Sequence, residues 1–272
     1  MSATSQIILL PATTLRPVAR YKNMFQDLYN SHYCLTAGET DAHGLLSAPM
    51  LVQKCIEIAT RHANALRIGY DELSRAGIGW VLSRMCIEID RYPRINETFS
   101  IYTWIESYNR HFSERMFEIV DEGGNTLALA RSTWVAIDMR KRSMADLSDF
   151  ERDAFPCLDR PCPIAPCARV GALPADAEEE ALHFGYSDID FNRHVNTVRY
   201  LERLLDHWPL EYHDRHAVAR LDMAFNHELR YGAPAWLRVA QNGDTTDCEI
   251  TGPDGHRAAA FRIRWRLRRD MD

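Results

Sequence analysis

The chain has 272 residues, of which 46% are hydrophobic, enough for one large or two ordinary domains with a buried core. Its formal net charge of −6 argues against a nucleic-acid-binding protein, which would usually be basic. No apolar run approaches the roughly 20 residues of a membrane-spanning helix. The N-terminus lacks the pattern of a secretory signal or a transit peptide, so we expect a cytoplasmic protein with no membrane span.

The first half of the chain predicts one long helix followed by four antiparallel strands. Residues 47–66 place apolar side chains at helical spacing, and Ser47 and Pro49 suit the start of that helix. "DEGGN" at residues 121–125 marks a hairpin between the last two strands. The predicted strands are WVLSRMCIEID (80–90), TFSIYTWIES (98–107), HFSERMFEIVD (111–121) and TLALARSTWVAIDM (126–139).

The same order returns after a proline-rich stretch at residues 147–180, which we interpret as a linker. A helix from about Asn196 to Trp208 is followed by four more strand-like runs. We therefore predict an N-terminal domain at residues 1–146 and a C-terminal domain at residues 181–272, both α+β. The runs of the second half are AVARLDMAFNHEL (217–229), AWLRVAQNG (235–243), DCEITGPDG (247–255) and AAAFRIRWRLRR (258–269).

A gapless match between the halves supports an internal duplication. Residues 84–98 lie over residues 220–234 at an offset of 136, arginine on arginine. Asp41 precedes the predicted cap Ser47 by six positions, and Asp190 precedes Asn196 by the same six. These correspondences predict a tandem duplication packed into one larger sheet structure, with two unrelated α+β domains as the alternative.

The second half carries a polar set that the first half lacks. Asp190, Asn192 and His194 fall at alternate positions just before a helix, and Glu228 lies in the run that we predict as a strand. In the first half, the positions that correspond to Asn192, His194 and Glu228 hold other residues. These are His43, Leu45 and Tyr92, respectively.

This polar set suits the hydrolysis of an activated acyl bond such as a thioester. That reaction needs a base or nucleophile, a positioned water and donors for the oxyanion, and a helix start supplies unpaired N–H groups. We expect the segment from His194 to Asn196 to provide those groups. The alternative is that Asp190 and Asn192 only cap a helix and close a turn.

The cysteines do not indicate a metal or a disulfide framework. Their number is seven, which is odd, and most lie in apolar surroundings. Cys157, Cys162 and Cys167 are spaced five residues apart without the paired Cys-x-x-Cys pattern of zinc sites. We therefore predict no metal and no other cofactor.

The sequence "SDIDFNRHVNTVRYLE" (187–202) closely resembles the helix-entry motif of the acyl-ACP thioesterases, which release fatty acids from acyl carrier protein. The first half is similar in "ETDAHGLLSAPMLVQ", "GWVLSRMCIEIDRYP" and "STWVAIDMRKRSMADL", so the resemblance covers roughly residues 30–269. It implies a tandem (double) hotdog, in which each long central helix is wrapped by an antiparallel β-sheet. It also implies hydrolysis of fatty acyl-ACP to free fatty acid and carrier protein.

Position by position, the resemblance assigns the family's catalytic Asp, Asn and His to Asp190, Asn192 and His194. Its catalytic Glu falls on Glu228 within "FNHELRYG". Plant members commonly have Cys after that Glu, whereas this chain has Leu229, which excludes a thiol nucleophile there. Asp190 either fixes the geometry or attacks the thioester itself.

Two further sets of residues follow from the resemblance. The acyl chain is expected mainly in the N-terminal hotdog, against Met50, Leu51, Trp80, Leu82 and Met85, for which core packing is the alternative. Acyl carrier protein is acidic, so we expect it to dock on a basic strand face, with a charged solvated face as the alternative. The docking candidates are Arg262, Arg264, Arg266 and Arg268.

Other functions stay open at this level. An acyl-CoA thioesterase of the same fold is the nearest, and a non-catalytic acyl-binding or carrier-binding module is the second. A dehydratase has weaker support because the polar set matches the hydrolase pattern. Two hotdogs in one chain already resemble the usual hotdog dimer, yet a homodimer of such chains is possible.

Overall fold

The computed structural model describes residues 28–148 and 156–268, and both predicted halves appear in it. The predicted long helix of the first half is α1, and its equivalent in the second half is the shorter α3. The first half contains β1 (Tyr29–Cys34), α1 (Ala48–Ala65), α2 (Tyr70–Arg75), β2 (Ile78–Ile89), β3 (Thr98–Tyr108), β4 (Phe112–Asp121), β5 (Thr126–Asp138) and β6 (Ser143–Met144). The second half contains β7 (Glu178–Leu182), α3 (Thr197–Leu205), α4 (Leu210–His213), β8 (His216–Phe225), β9 (Ala235–Asn242), β10 (Thr245–Thr251) and β11 (Arg257–Leu267).

Within the described ranges, one antiparallel sheet contains all the strands of both halves. Its order is β1-β3-β4-β5-β2-β8-β11-β10-β9-β7, with β6 paired to β5, so the order outward from the centre is the same in both halves. The central pair β2–β8 sets Cys86 opposite Asp222. These two residues are 136 positions apart, the offset of the sequence match, so they lie at the centre of a pseudo-twofold arrangement. The tandem duplication is confirmed.

Helix α1 forms where its sequence predicts. The side chain of Ser47 accepts a hydrogen bond from the N–H of Met50 at 3.4 Å and caps the helix. Leu51, Cys55 and Ile58 form a fully buried stripe against the sheet. One hydrophobic core continues from this stripe into the second half, where α1 contacts α3.

The linker crosses the sheet on the face away from α1. Strand alternation turns Trp104 and Met116 to that face, and Leu158 and Cys162 of the linker pack against them. The Trp104 indole N–H also donates to the carbonyl of Arg160 at 2.8 Å. The linker is therefore part of the packed structure.

Several predicted boundaries are wrong. Strand β7 begins at Glu178, inside the stretch 147–180 that we predicted as linker, and α3 ends at Leu205. Strand β8 ends at Phe225 because the next two N–H groups, of Asn226 and His227, both turn to the carbonyl of Ala258, at 2.8 and 3.2 Å. Glu228 therefore lies in the loop that follows β8, and its predicted place on the strand is corrected.

In the described parts of the chain, no helix combines the length and apolar character needed to cross a bilayer.

Candidate active site

Asp190 closes a tight turn immediately before α3. Its Oδ1 accepts hydrogen bonds from the backbone N–H groups of Asn192 at 2.8 Å and His194 at 3.0 Å. Its own N–H donates to the carbonyl of His194 at 2.8 Å, and Arg193 has a φ of +67°. A short carboxylate side chain that binds the N–H groups two and four residues later stabilises such a turn. Asp190 thus fixes the direction in which His194 points.

The backbone then ties this turn to the loop that carries Glu228. The N–H of Val195 donates to the carbonyl of Leu229 at 2.8 Å, and His194 and Arg230 form an isolated β-bridge. The hydroxyl of Tyr200, on α3, accepts the N–H of Leu229 at 3.1 Å. Burial raises the pKa of Tyr200 to about 12, so the hydroxyl stays neutral. These contacts hold the two loops in one register.

As a result, the His194 imidazole and the Glu228 carboxylate meet. Nε2 of His194 lies 3.2 Å from Oε2 of Glu228, and their side chains are 14% and 36% exposed. The pair is partly buried yet open to water on the carboxylate side. An imidazole beside a carboxylate at this distance can take a proton from a water molecule. The predicted convergence of these two groups is present in the structure.

The first half contributes to the site a positively charged side chain, Arg142, that we did not predict from the sequence. Nη2 of Arg142 forms an ion pair with the same Oε2 of Glu228. Arg142 follows β5 with a φ of +56°, and its side chain is 54% exposed. Nearby, Tyr70 of α2 packs edge-on against Phe191 at a ring distance of 5.5 Å. The site therefore lies where the two halves meet. Arg142 falls in one of the stretches that resemble the thioesterases, but nothing local distinguishes it from Arg140 or Lys141.

The oxyanion donors differ from those predicted. The N–H groups of His194, Val195 and Asn196 already donate to acceptors within the two loops, so the expectation that they are free is wrong. These acceptors are Asp190 Oδ1, Leu229 O and Asp188 O. The side chain of Asn196 caps α3 by accepting the N–H of Val198 at 3.0 Å. Asn192 is exposed at the tip of the turn, two residues before the histidine, and its side-chain amide can donate a hydrogen bond.

Four of the five predicted acyl-contacting residues share one region. Leu51, Leu82 and Met85 are buried in the main core, and Met50 packs on its edge. Trp80 belongs to a separate cluster and donates its indole N–H to the carbonyl of Ile68 at 3.0 Å. The role of these residues in acyl binding stays a prediction.

The predicted docking arginines alternate with buried apolar residues along β11, as expected. Arg264 is exposed and lies 3.9 Å from Glu88, whereas Arg262 pairs with Asp247 at 2.6 Å and Arg268 with Asp41 at 3.0 Å. Nε and Nη2 of Arg266 are buried. The face thus offers fewer free charges than the sequence suggested, and carrier docking there stays a prediction.

No thiol nucleophile stands beside the histidine–glutamate pair within the described residues. Leu229, which follows Glu228, is buried with its backbone bonded on both sides. Cys248, the other position considered, is fully buried, and that burial raises its pKa well above the usual thiol range. The candidate nucleophiles are therefore oxygen: a water or a carboxylate.

The fold and the site together define a double-hotdog protein whose second half carries the Asp-Asn-His-Glu set. Family models agree: that of the acyl-ACP thioesterase N-terminal domain matches residues 26–153. That of the C-terminal domain matches residues 171–267. The chain belongs to the acyl-ACP thioesterase family.

Individual relatives are distant but similar over most of this chain. An oleoyl-acyl carrier protein thioesterase of Coriandrum sativum is 26% identical over 230 residues, which is 76% of this chain and 62% of the relative. A Cuphea viscosissima acyl-carrier-protein hydrolase is 23% identical over 244 residues, which is 85% of this chain and 59% of the relative. The chain thus spans about three-fifths of the length of these two plant proteins.

Solved structures match the fold over nearly their whole length. An acyl-ACP thioesterase from Bacteroides thetaiotaomicron superposes with a TM-score of 0.82 at 28% identity, covering 88% of this chain and 98% of that one. A 12:0-ACP thioesterase from Umbellularia californica gives 0.79 at 19% identity, covering 88% and 97%. The second match supports the fold alone.

Proposed function

We propose that this protein hydrolyses the thioester of fatty acyl-ACP, releasing a free fatty acid and acyl carrier protein. Family membership supports the reaction class. The observation that carries the proposal is the 3.2 Å contact between His194 Nε2 and Glu228 Oε2 in the half that matches the family's C-terminal domain.

In the proposed reaction, the His194–Glu228 pair takes a proton from a water molecule as the water oxygen attacks the carbonyl carbon of the thioester. The side-chain amide of Asn192 donates a hydrogen bond to the carbonyl oxygen as it becomes negative. The carbon–sulfur bond then breaks, and the carrier leaves as a thiol after taking back the proton. The products are the carboxylic acid and the free thiol, with no cofactor in the balance.

We assign Asp190 a positioning role, because its Oδ1 is occupied by two backbone N–H groups. The alternative, in which Asp190 attacks the thioester, would form an acyl-enzyme. Mixing the enzyme with acyl-ACP and hydroxylamine separates the two routes. Water attack gives free fatty acid and no more hydroxamate than acyl-ACP and hydroxylamine form without enzyme, whereas an acyl-enzyme would yield additional fatty hydroxamate.

Fatty-acid release from a panel of acyl-ACPs of graded chain length tests the function. We expect release with at least one chain length, at a higher kcat/KM than from the matching acyl-CoA. Faster hydrolysis of acyl-CoA would identify an acyl-CoA thioesterase instead. Binding without release from any substrate would identify an acyl-binding or carrier-binding module.

We further propose that the carrier docks on β11 near Arg264, the exposed member of the four arginines. Reversing its charge in Arg264→Glu should raise KM for acyl-ACP several-fold and leave KM for acyl-CoA unchanged, because only the carrier presents an extended acidic protein surface that would dock on this strand. Equal effects on both substrates would exclude docking there. The acyl chain is proposed to lie in the N-terminal domain at residues 1–146, where Met50→Trp should shift the preferred chain length downward.

The setting of the reaction is also a proposal. We place the protein in the cytoplasm, in fatty acid biosynthesis, although the two plant relatives carry chloroplastic names. Fractionation of the source cells tests the location. Sedimentation of the purified protein tests whether it forms a homodimer.

A further inference from the structure

Two cysteines and an aspartate meet at the centre of the sheet. The thiol sulfurs of Cys86 and Cys167 and a carboxylate oxygen of Asp222 all lie within 4.8 Å of one another. Cys86 is on β2 and Asp222 faces it from β8, at the pseudo-twofold centre of the sheet. Cys167 reaches this point from the linker. The cluster thus joins all three parts of the chain.

The linker is fixed on both sides of Cys167. Nη2 of Arg220 donates to the carbonyls of Ala165 and Pro166, each at 3.1 Å. One residue after the cysteine, the N–H of Ala168 donates to Oδ1 of Asp222 at 2.9 Å. Backbone contacts on both flanks hold the Cys167 sulfur beside that of Cys86, so the two thiols meet without the ordering cost of a free linker.

Charge argues against a metal ion at this cluster. The Asp222 carboxylate accepts hydrogen bonds from Nε of Arg220 at 2.9 Å and from Nη2 at 2.7 Å, as well as from Ala168. Three of the roughly four lone-pair positions of this carboxylate are therefore engaged, and the adjacent guanidinium repels a cation. The chemistry left to the two sulfurs is that of thiols.

The two thiols are also chemically unequal. The hydrogen bond between them lowers the pKa of Cys167 and raises that of Cys86. Cys167 is half-buried, whereas Cys86 is buried. A partly accessible thiol with a lowered pKa, next to a second thiol, is the arrangement that favours oxidation to a disulfide.

We propose that Cys86 and Cys167 form a disulfide when the protein meets a peroxide, attaching the linker covalently to the centre of the sheet. The Cys167 thiolate attacks one peroxide oxygen, the O–O bond breaks, and a sulfenic acid and water form. The Cys86 thiol then attacks the sulfenic sulfur, the S–S bond forms and a second water leaves. Two thiols lose two electrons in total, and one hydrogen peroxide becomes two waters. This reaction is independent of the thioesterase proposal.

The test uses the full chain with Cys34→Ser and Cys157→Ser, because these two cysteines are exposed and could link separate molecules. The protein is treated with a few equivalents of hydrogen peroxide, unfolded in iodoacetamide and digested without reduction. We expect a mass loss of about 2 Da before alkylation and, after digestion, one cross-linked peptide pair joining Cys86 to Cys167, both reversed by dithiothreitol. The yield should be unchanged by Cys162→Ser, a matched removal of another linker cysteine.

Cys167→Ser should abolish the cross-link and leave Cys86 fully alkylated after unfolding. Recovery of Cys86 and Cys167 as separate alkylated peptides after peroxide would overturn the proposal. Higher oxides of Cys167 without a cross-link, or pairing of Cys86 with another cysteine, would overturn it equally.

Discussion

The two helix-entry loops have the same pattern of backbone hydrogen bonds and differ in their side chains. In the first half, Asp41 Oδ1 accepts the N–H groups of His43 at 2.8 Å and Leu45 at 3.1 Å, as Asp190 does in the second half. Leu45 bridges to Arg94, as His194 bridges to Arg230. The aspartate therefore belongs to the turn itself, and its presence in both loops does not depend on catalysis.

What differs is how each loop is covered by the opposite half. Arg268 pairs with Asp41, and Asp214 lies 3.0 Å from His43 Nε2, so the first loop is closed by contacts between the halves. Tyr92, at the position of Glu228, is buried and donates to the carbonyl of Val218 at 2.8 Å. In the second loop the equivalent position holds a carboxylate that solvent can reach. The loop of the first half stabilises the contact between the halves, whereas the loop of the second half leaves its carboxylate accessible to water and substrate.

The largest contrast is expected between Glu228→Gln and Tyr92→Phe. Loss of the base should reduce kcat by about a hundredfold or more. Tyr92→Phe should keep wild-type kcat and lower stability by about 1 kcal/mol, because it removes one buried hydrogen bond. Steady-state rates with acyl-ACP and thermal unfolding measure both. A Glu228→Gln enzyme with near wild-type kcat would remove that residue from the mechanism.

The turn aspartates give the next contrast. Asp190→Ala and Asp41→Ala should each lower stability by about 1–3 kcal/mol, since each leaves two N–H groups without their acceptor. Only Asp190→Ala should also reduce kcat, on the order of tenfold, because His194 loses its orientation. Asp190→Asn keeps an acceptor oxygen and should retain most activity. If the asparagine variant is as inactive as the alanine variant, the carboxylate itself reacts.

Arg142 tests the contribution of the first half to the open site. Arg142→Gln removes the ion pair that holds Glu228, and we expect a several-fold lower kcat because the pair is half-exposed. Arg142→Lys should restore most of the loss. Arg268→Gln, which removes the contact between the halves at Asp41, should leave kcat unchanged. Equal kinetic losses at both arginines would mean that packing of the two halves, not the position of Glu228, sets the rate.

The smallest effect on activity concerns His62, a buried histidine of the first half. Burial, together with the charge of Arg115, lowers the pKa of His62 to about 4. Nη1 of Arg115 donates to its Nδ1 at 2.7 Å. The unfolded chain, with a histidine pKa of about 6.5, binds more protons between pH 6.5 and 4, so folding stability falls as pH decreases through this window.

Replacing this side chain should therefore flatten the pH dependence of stability. The unfolding free energy of wild type should fall more steeply between pH 6.5 and 4 than that of His62→Gln, by on the order of 1–3 kcal/mol. His32→Gln, at an exposed position, is the control and should follow wild type. Parallel curves for wild type and His62→Gln would contradict a neutral buried imidazole.

The duplicated architecture could be read from the sequence because its signals are local or repeated. Three of these signals can be recognised without a structure: the apolar stripe of α1, its Ser47 cap and the offset of 136 residues between the halves. The proximity of His194 and Glu228 followed from the resemblance rather than from spacing. The sequence shows that these residues are a histidine and a glutamate, but it does not show the distance between their side chains.

What could not be predicted depends on contacts distant in sequence. Arg142 reaches Glu228 only because β2 and β8 join the two halves edge to edge. The N–H groups before α3 were expected to be free because a helix start leaves them unpaired, yet Leu229 and Asp188 supply carbonyl acceptors from neighbouring loops. Strand β8 ends early for the same kind of reason, since the Ala258 carbonyl captures two consecutive N–H groups.

In the proposed reaction the open loop alone performs the hydrolysis, through the imidazole that the closed loop lacks. The most direct measurement is single-turnover fatty-acid release from acyl-ACP by His194→Leu, which installs the first-half residue in the second loop. Leu45→Ala at the equivalent position of the first loop is the matched control. We predict a loss of about a hundredfold or more for His194→Leu and less than about threefold for Leu45→Ala. Comparable rates for His194→Leu and wild type would contradict the proposed role of His194 in hydrolysis.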